Sequence, residues 1–158
     1  MIREMLRKSK NPYSDSDKLL NLYIQDRKDH LDNLVKPFLK KKDDNISIGL
    51  CDRYYYSTIA YQHVQGIELK KLLDINRKFL KPDLAIILDL HPETALKRIS
   101  RERAVEKFER LEFMKKLRNN FLELKEWMDD NIVYVDTSGA EDETFEKVRK
   151  QLDKVLKR

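Results

Sequence analysis

Short apolar runs along this chain alternate with longer stretches in which leucines and aromatics recur every three or four residues. Three runs rich in β-branched residues stand out, 46–51 (ISIGLC), 84–90 (LAIILDL) and 132–135 (IVYV). Their length and composition predict β-strands. The middle run is almost continuously apolar, the pattern of a parallel strand covered on both faces. Each run ends at or near an aspartate: Asp52, Asp89 and Asp136.

Helical spacing fills the intervals. Over 14–35, Leu19, Leu20, Leu22, Tyr23, Leu31 and Leu34 form one apolar face. Ser14 or Ser16 is the expected cap, and Pro37 is expected either to end or kink this helix or to open a short continuation through Phe38 and Leu39. Further helices are predicted over 54–64, 67–80, 94–100 (opened by Pro92), 107–128 and 142–156. Strands alternating with helices predict an α/β protein built on a parallel sheet, in one domain spanning 1–158. In such sheets ligands bind beyond the carboxyl ends of the strands. The stretch after Cys51, the region after Asp89 and the loop 136–141 occupy such ends.

Composition narrows this picture. The 158 residues are 41% hydrophobic, enough for a core, and 39% charged, with 3 Gly and 4 Pro. The net charge is +5, but 33 basic residues are interleaved with 28 acidic ones, so no nucleic-acid partner is expected. The lone Cys51 excludes an internal disulfide framework and fits a reducing cytoplasm. No apolar run is long enough to cross a bilayer, and none at the start has the length of a signal peptide. His30, His63 and His91 lack the spacing of a metal site.

The candidate chemistry is concentrated in CDRYYYSTIAYQ, residues 51–62. Read alone, Asp52 at a strand end fits either a helix cap or a Walker-B-type carboxylate near Mg²⁺. Arg53 beside it is suited to a fork-like grip on a phosphate. Tyr23 and Arg27 stand one helical turn apart, on one face. Core packing for Tyr23, and an ion pair of Arg27 with Asp26 or Asp29, are the alternatives.

DRYYYSTIAYQ resembles the DRYxxSxxAYQ signature of the thymidylate kinases, P-loop enzymes that phosphorylate dTMP with ATP. LLNLYIQDRKDHLDNLVKP at 19–37, KPDLAIILDLHPETALKRI at 81–99 and EKFERLEFMKKLRNNFLEL at 106–124 are similar to further family segments, in family order. The resemblance implies a P-loop NTPase-like, three-layer parallel sheet with helices on both faces. It implies that Tyr23 stacks on thymine and Arg27 contacts the base. Arg53 would hold the dTMP phosphate, and Asp52 would stand near Mg²⁺. Ser57, Thr58, Tyr61 and Gln62 would line the nucleoside, while Tyr55 and Tyr56 fall at variable positions and are expected to pack or lie at the surface. A lid is expected over about 98–109, where Arg101 and Arg103 would neutralise the transferred phosphoryl group; a solvated basic face is the alternative for them. Arg98, Asp136 and Ser138 would serve the ATP side. A homodimer through the helices of 14–35 and 54–80 is implied as well.

One family feature has no counterpart here. No GxxxxGK(S/T) occurs in the 158 residues, and Gly49, Gly66 and Gly139 lie in no such loop. That loop cradles the donor phosphates. The sequence IREMLRKS is similar to a family segment that follows the first two strands. The expectation is therefore a sheet without those strands, one of which the family places between the runs 46–51 and 84–90. The chain alone is expected to have little kinase activity, as the later part of a longer chain. The alternative is a non-catalytic nucleotide-binding or dimerisation module.

Overall fold

The computed structural model describes residues 2, 11, 13–41, 47–102 and 108–156. Two compact units divide the chain, Met1–Leu80 and Lys81–Arg158.

Helices dominate the first unit. Helix α1 (Ser16–His30) buries Leu19 and Leu20, and Leu31 continues the same face. Its N-cap is Asp15 rather than either serine, in the left-handed conformation at φ 59°, with no side-chain cap bond. Asp tolerates that region better than most residues. Ser14 instead donates to the carbonyl of Asn11 at 3.0 Å. After His30 the chain widens into a π-helical turn, Leu31–Val35, and continues as α2 (Lys36–Leu39). Pro37 has no N–H for the carbonyl four residues back, and a π turn absorbs that break without ending the helix. Of the outcomes expected at Pro37, continuation is the one observed.

Helix α3 (Tyr55–Val64) is buried on several sides through Tyr55, Tyr56, Thr58, Ile59, Ala60 and Gln62. Both variable-position tyrosines therefore pack, with ring centroids 4.4 Å apart. Gly66, at φ 96°, ends the helix. Its N–H donates to His63 at 3.0 Å, and the next N–H, of Ile67, reaches back to Gln62 at 3.0 Å. This is a Schellman closure, which needs a residue free to adopt positive φ. Helix α4 (Leu69–Asn76) follows and packs on α3, burying Leu72 and Asn76.

The expected strand 46–51 does not form within the described residues: 47–51 belong to no ladder. Leu50 is 95% exposed and Ile48 58%. A strand exists only where a neighbour completes its hydrogen bonds. The strand that the family resemblance places beside this run has no counterpart among the described residues.

In the second unit, β1 (Ala85–Asp89) leads into α5 (Pro92–Glu102), α6 (Leu111–Leu122) and α7 (Leu124–Trp127). The chain then returns as β2 (Ile132–Asp136) and ends in α8 (Glu141–Leu156). The two strands pair in parallel, Ala85 opposite Ile132 and Asp89 opposite Asp136. Phe113, Leu117, Leu124, Met128, Ile132 and Val135 form the core. The expectation that β1 is covered on both faces does not hold, because Leu88 is 59% exposed. Among the described residues nothing buries Leu88, and β1 pairs with β2 alone. The α/β class stands, as a helix-rich chain with a small parallel sheet.

Candidate functional site

The first unit gathers most of the predicted substrate residues. On α1, Tyr23 and Arg27 share a face that packs against α3. The Arg27 guanidinium donates from Nη2 to Thr58 Oγ1 at 2.8 Å and from Nη1 to Asn76 Oδ1 at 3.3 Å. It lies between two aromatic rings, 5.3 Å from the Tyr54 centroid and 5.4 Å from that of Phe79. Such a cation–π sleeve partly compensates for lost hydration. Burial lowers the pKa of Arg27, and nearby Tyr54 is the main opposing influence. Both hydrogen bonds run across the unit, to Thr58 and Asn76, rather than to Asp26 or Asp29 along the helix.

Arg53 stands just before α3 in the left-handed conformation at φ 64°. A bulky side chain there carries backbone strain, and strain of that kind clusters at functional sites. Cys51 Sγ donates to the Arg53 carbonyl at 3.1 Å. The Arg53 guanidinium lies 5.7 Å from the Tyr61 centroid. Tyr23 is half-buried and has its pKa raised, first by burial, with Arg53 pulling it down and Tyr61 pushing it up. The electrostatics thus bring Tyr23, Arg53 and Tyr61 into one neighbourhood. Gln62 is 2% exposed, and its Oε1 has no hydrogen-bond partner among the described residues. Buried acceptors of this kind are rare and often mark a place where a ligand or water completes the bond. Asp52 is exposed, and Ser57 is half-buried in the first turn of α3.

The second unit brings Arg98, Asp136 and Ser138 together. Arg98 donates to the carbonyls of Thr137 and Ser138 at 3.1 and 3.2 Å. Asp136 accepts from the Ser138 N–H at 3.0 Å and its hydroxyl at 2.8 Å, which fixes the loop as an Asx turn. Those bonds, with Lys147 nearby, hold the Asp136 carboxyl below its ordinary pKa. Thr137 ties the loop to β1 through two bonds to the Asp89 carbonyl, both 2.9 Å. Arg101 is exposed near the end of α5, and Arg103 lies outside the described residues. An open depression of about 520 Å³ in this unit is lined by Lys81, Pro82, Asp83, Asp129, Asp130 and Asn131, none of them a predicted site residue.

The sequence singles out neither Asn76 nor Phe79, and Tyr54 stands in it only as the tyrosine of the DRY signature. A signal existed for Asn76: it falls one turn after Leu72, on the apolar face of its helix, where an amide needs partners.

Two parallel strands joined through helices define an α/β protein. More particularly, the chain belongs to the thymidylate kinase family, the phosphotransferases of nucleotide biosynthesis that act on dTMP, whose family model matches residues 1–148. A probable thymidylate kinase of Staphylothermus marinus is 35% identical over 156 residues, covering 97% of this chain and 72% of that protein. One of Methanocaldococcus jannaschii is 40% identical over 138 residues, covering 87% and 66%. A thymidylate kinase of Caldicellulosiruptor saccharolyticus is 36% identical over 143 residues, covering 87% and 67%. With a probable thymidylate kinase of Thermococcus onnurineus included, matched over 50% of its length, the chain spans half to 72% of these relatives.

Proposed function

We propose that the first unit is the dTMP site of a thymidylate kinase, in which ATP and dTMP give ADP and dTDP on the route to dTTP. The observation that carries this reading is the fixed Arg27: a half-buried guanidinium held by Thr58 and Asn76 inside an aromatic sleeve, one turn from Tyr23. A surface arginine needs no such housing; one that reads a base does. Tyr23 stacks on thymine and Arg27 donates to the base. The unpaired Oε1 of Gln62 accepts from the base or from a water bound to it, and Ser57 and Thr58 complete the wall. Arg53 grips the phosphate while Tyr61 packs beside the sugar.

Arg98, Asp136 and Ser138 form the ATP side. There Arg98 orders the loop through its carbonyls, and Arg101 and Arg103 neutralise charge on the transferred group. Asp52 fits Mg²⁺ of the kind held by one carboxylate, substrate phosphates and water, since no cluster of three or more His, Cys, Asp or Glu side chains suited to a metal occurs among the described residues. When bound, the ion would offset phosphate charge. Both units belong to one kinase domain, with the lid at about 98–109 and a three-layer sheet. The chain acts in the cytoplasm as a homodimer through its helical faces, without nucleic acid or membrane. The exposed Leu34, Phe38 and Leu39 support an association surface.

Calorimetric titration of the 158-residue chain with dTMP tests the reading. Saturable one-site binding that is stronger than for dCMP is expected; no binding overturns it. An assay of ATP-dependent dTDP formation tests the second expectation, that turnover is slight because the sequence has no GK(S/T). Light scattering tests the dimer.

A further inference from the structure

Asn76 is 0% exposed, yet every polar atom of its side chain that the fold reaches is used. Its Nδ2 donates to the Leu72 carbonyl, one turn back, at 2.7 Å, and its Oδ1 accepts from Arg27 Nη1 at 3.3 Å. The amide cannot be turned over without loss: a carbonyl offers only an acceptor and a guanidinium only donors, so the two partners fix which atom is which. The Leu72 bond locks the side chain to its own helix, and the locked Oδ1 then locks Arg27. Thr58 takes the other terminal nitrogen, and the rings of Tyr54 and Phe79 stand 5.3 and 5.4 Å from the guanidinium carbon. Two hydrogen bonds plus two rings leave an otherwise mobile side chain with one orientation and with N–H groups to spare. Arg side chains carry large rotamer entropy, so fixing one beforehand removes that cost from binding.

We propose that Asn76 is a specificity-determining positioning residue: it aims Arg27 at the base of the nucleotide and so governs base reading without touching the ligand. This rests on the dTMP site proposed above. A merely structural asparagine would change stability, or would weaken every ligand alike. A positioning asparagine changes the preference for a ligand that has a base over one that lacks it.

The test measures binding of dTMP and of 2-deoxyribose 5-phosphate, which has the sugar and phosphate but no base, to the full chain and to Asn76→Leu, Asn76→Asp, Arg27→Ala and the Asn76→Leu, Arg27→Ala double variant. Far-ultraviolet circular dichroism and thermal unfolding check that each is folded. The Leu variant is expected to weaken dTMP roughly tenfold while leaving the abasic ligand within about twofold, as for a lost hydrogen bond to a charged group. The Asp variant keeps an acceptor for Arg27 but gives up the donor to the Leu72 carbonyl, so it should recover part of the dTMP affinity. In the Arg27→Ala background, Asn76→Leu should add nothing to the dTMP preference, because the interaction it serves is already gone. If the native chain binds neither ligand, the dTMP site falls and the inference with it. If the native chain prefers dTMP and Asn76→Leu keeps that preference, the inference alone falls. Should the Leu variant not fold, the Asp variant decides: a folded Asn76→Asp chain whose preference for dTMP is as low as that of Arg27→Ala overturns the role given to Oδ1.

Discussion

Arg27 and Thr58 stand 31 positions apart in sequence, and a 2.8 Å hydrogen bond from Nη2 to Oγ1 joins their helices. Both side chains are at least half-buried, so the acceptor has no ready replacement in water. Thr58→Val keeps the shape and removes the acceptor. It should lower stability by about 1–3 kcal/mol and weaken dTMP binding, since the cation loses one of its two tethers. For a chain of this size the melting temperature should fall by about 2–4 °C per kcal/mol. Thr58→Ser, which keeps Oγ, should recover most of both losses. Thermal unfolding and calorimetry on the same preparations check this.

Arg53 separates the cost of a backbone conformation from the value of a charge. At φ 64° a residue with a Cβ is disfavoured by roughly 1–2 kcal/mol, whereas glycine is not. Arg53→Gly and Arg53→Ala both remove the guanidinium and its contact with the Tyr61 ring. Both should lose at least roughly tenfold in affinity for dTMP while affinity for thymidine, which has no phosphate, stays nearly constant. They should differ in stability, with the Ala variant about 1 kcal/mol below the Gly variant. Equal melting temperatures would show that the left-handed conformation carries no strain.

The helices of the first unit were legible because α1, α3 and α4 each carry leucines or aromatics at helical spacing, and the Schellman closure at Gly66 confirms where α3 stops. The strands at 85–89 and 132–136 were legible for the same reason, each being a short β-branched run ending in Asp. The run 46–51 read equally well and yet 47–51 form no strand, because pairing is a property of two segments and one segment's composition cannot supply the other. The same physics explains Leu88: whether a face is covered depends on the covering layer, not on the strand. The site divided similarly. Tyr23, Arg27, Arg53, Thr58, Tyr61 and Gln62 could be named from the family segments, whereas Asn76 and Phe79 act by tertiary contact with Arg27 across 49 and 52 positions, and the one local mark is the Asn76 amide on an apolar helix face.

Tyr54 gives the site an alkaline signature. Its hydroxyl donates to the Leu80 carbonyl at 2.9 Å, and burial, opposed in part by Arg27, pushes its pKa from 10.0 up to about 12. The folded chain therefore keeps this proton when the unfolded chain has lost it. The resulting stability is fully present below pH 10.0, erodes above it, and is gone once pH has risen through about 12. A phenolate titration read by ultraviolet absorbance should lose one late-titrating tyrosine in Tyr54→Phe relative to the native chain. That variant keeps the ring against Arg27 and loses only the bond to Leu80, at about 1 kcal/mol. Its dTMP affinity should stay within about twofold of native, while Tyr54→Leu, which removes the ring as well, should weaken binding further.

The pair Asp89–Arg118 should set the acid limit of the second unit. Arg118 Nε and Nη2 meet the two carboxylate oxygens at 2.7 and 2.8 Å, a two-pronged contact that binds the end of β1 to α6. This bond is the main reason the Asp89 carboxyl sits below its ordinary pKa, with Arg118 raised in turn. Since the folded carboxyl holds its proton less tightly than the unfolded one, the pair's contribution is fully present above roughly pH 4 and is lost as pH falls through the lowered value. The side chains are 25% and 21% exposed, so solvent screens the pair only in part, and its geometry is that of the stronger ion pairs. Arg118→Leu should therefore cost about 1–2 kcal/mol at neutral pH, part of it from leaving Asp89 without its partner. Asp89→Asn keeps one acceptor and should cost less. The discriminating measurement is stability against pH. Urea midpoints of the native chain should fall as pH drops below about 4, and the difference between native and Arg118→Leu should close over the same fall. A difference that stays constant as the native chain loses stability in acid would show that Arg118 acts there through packing alone.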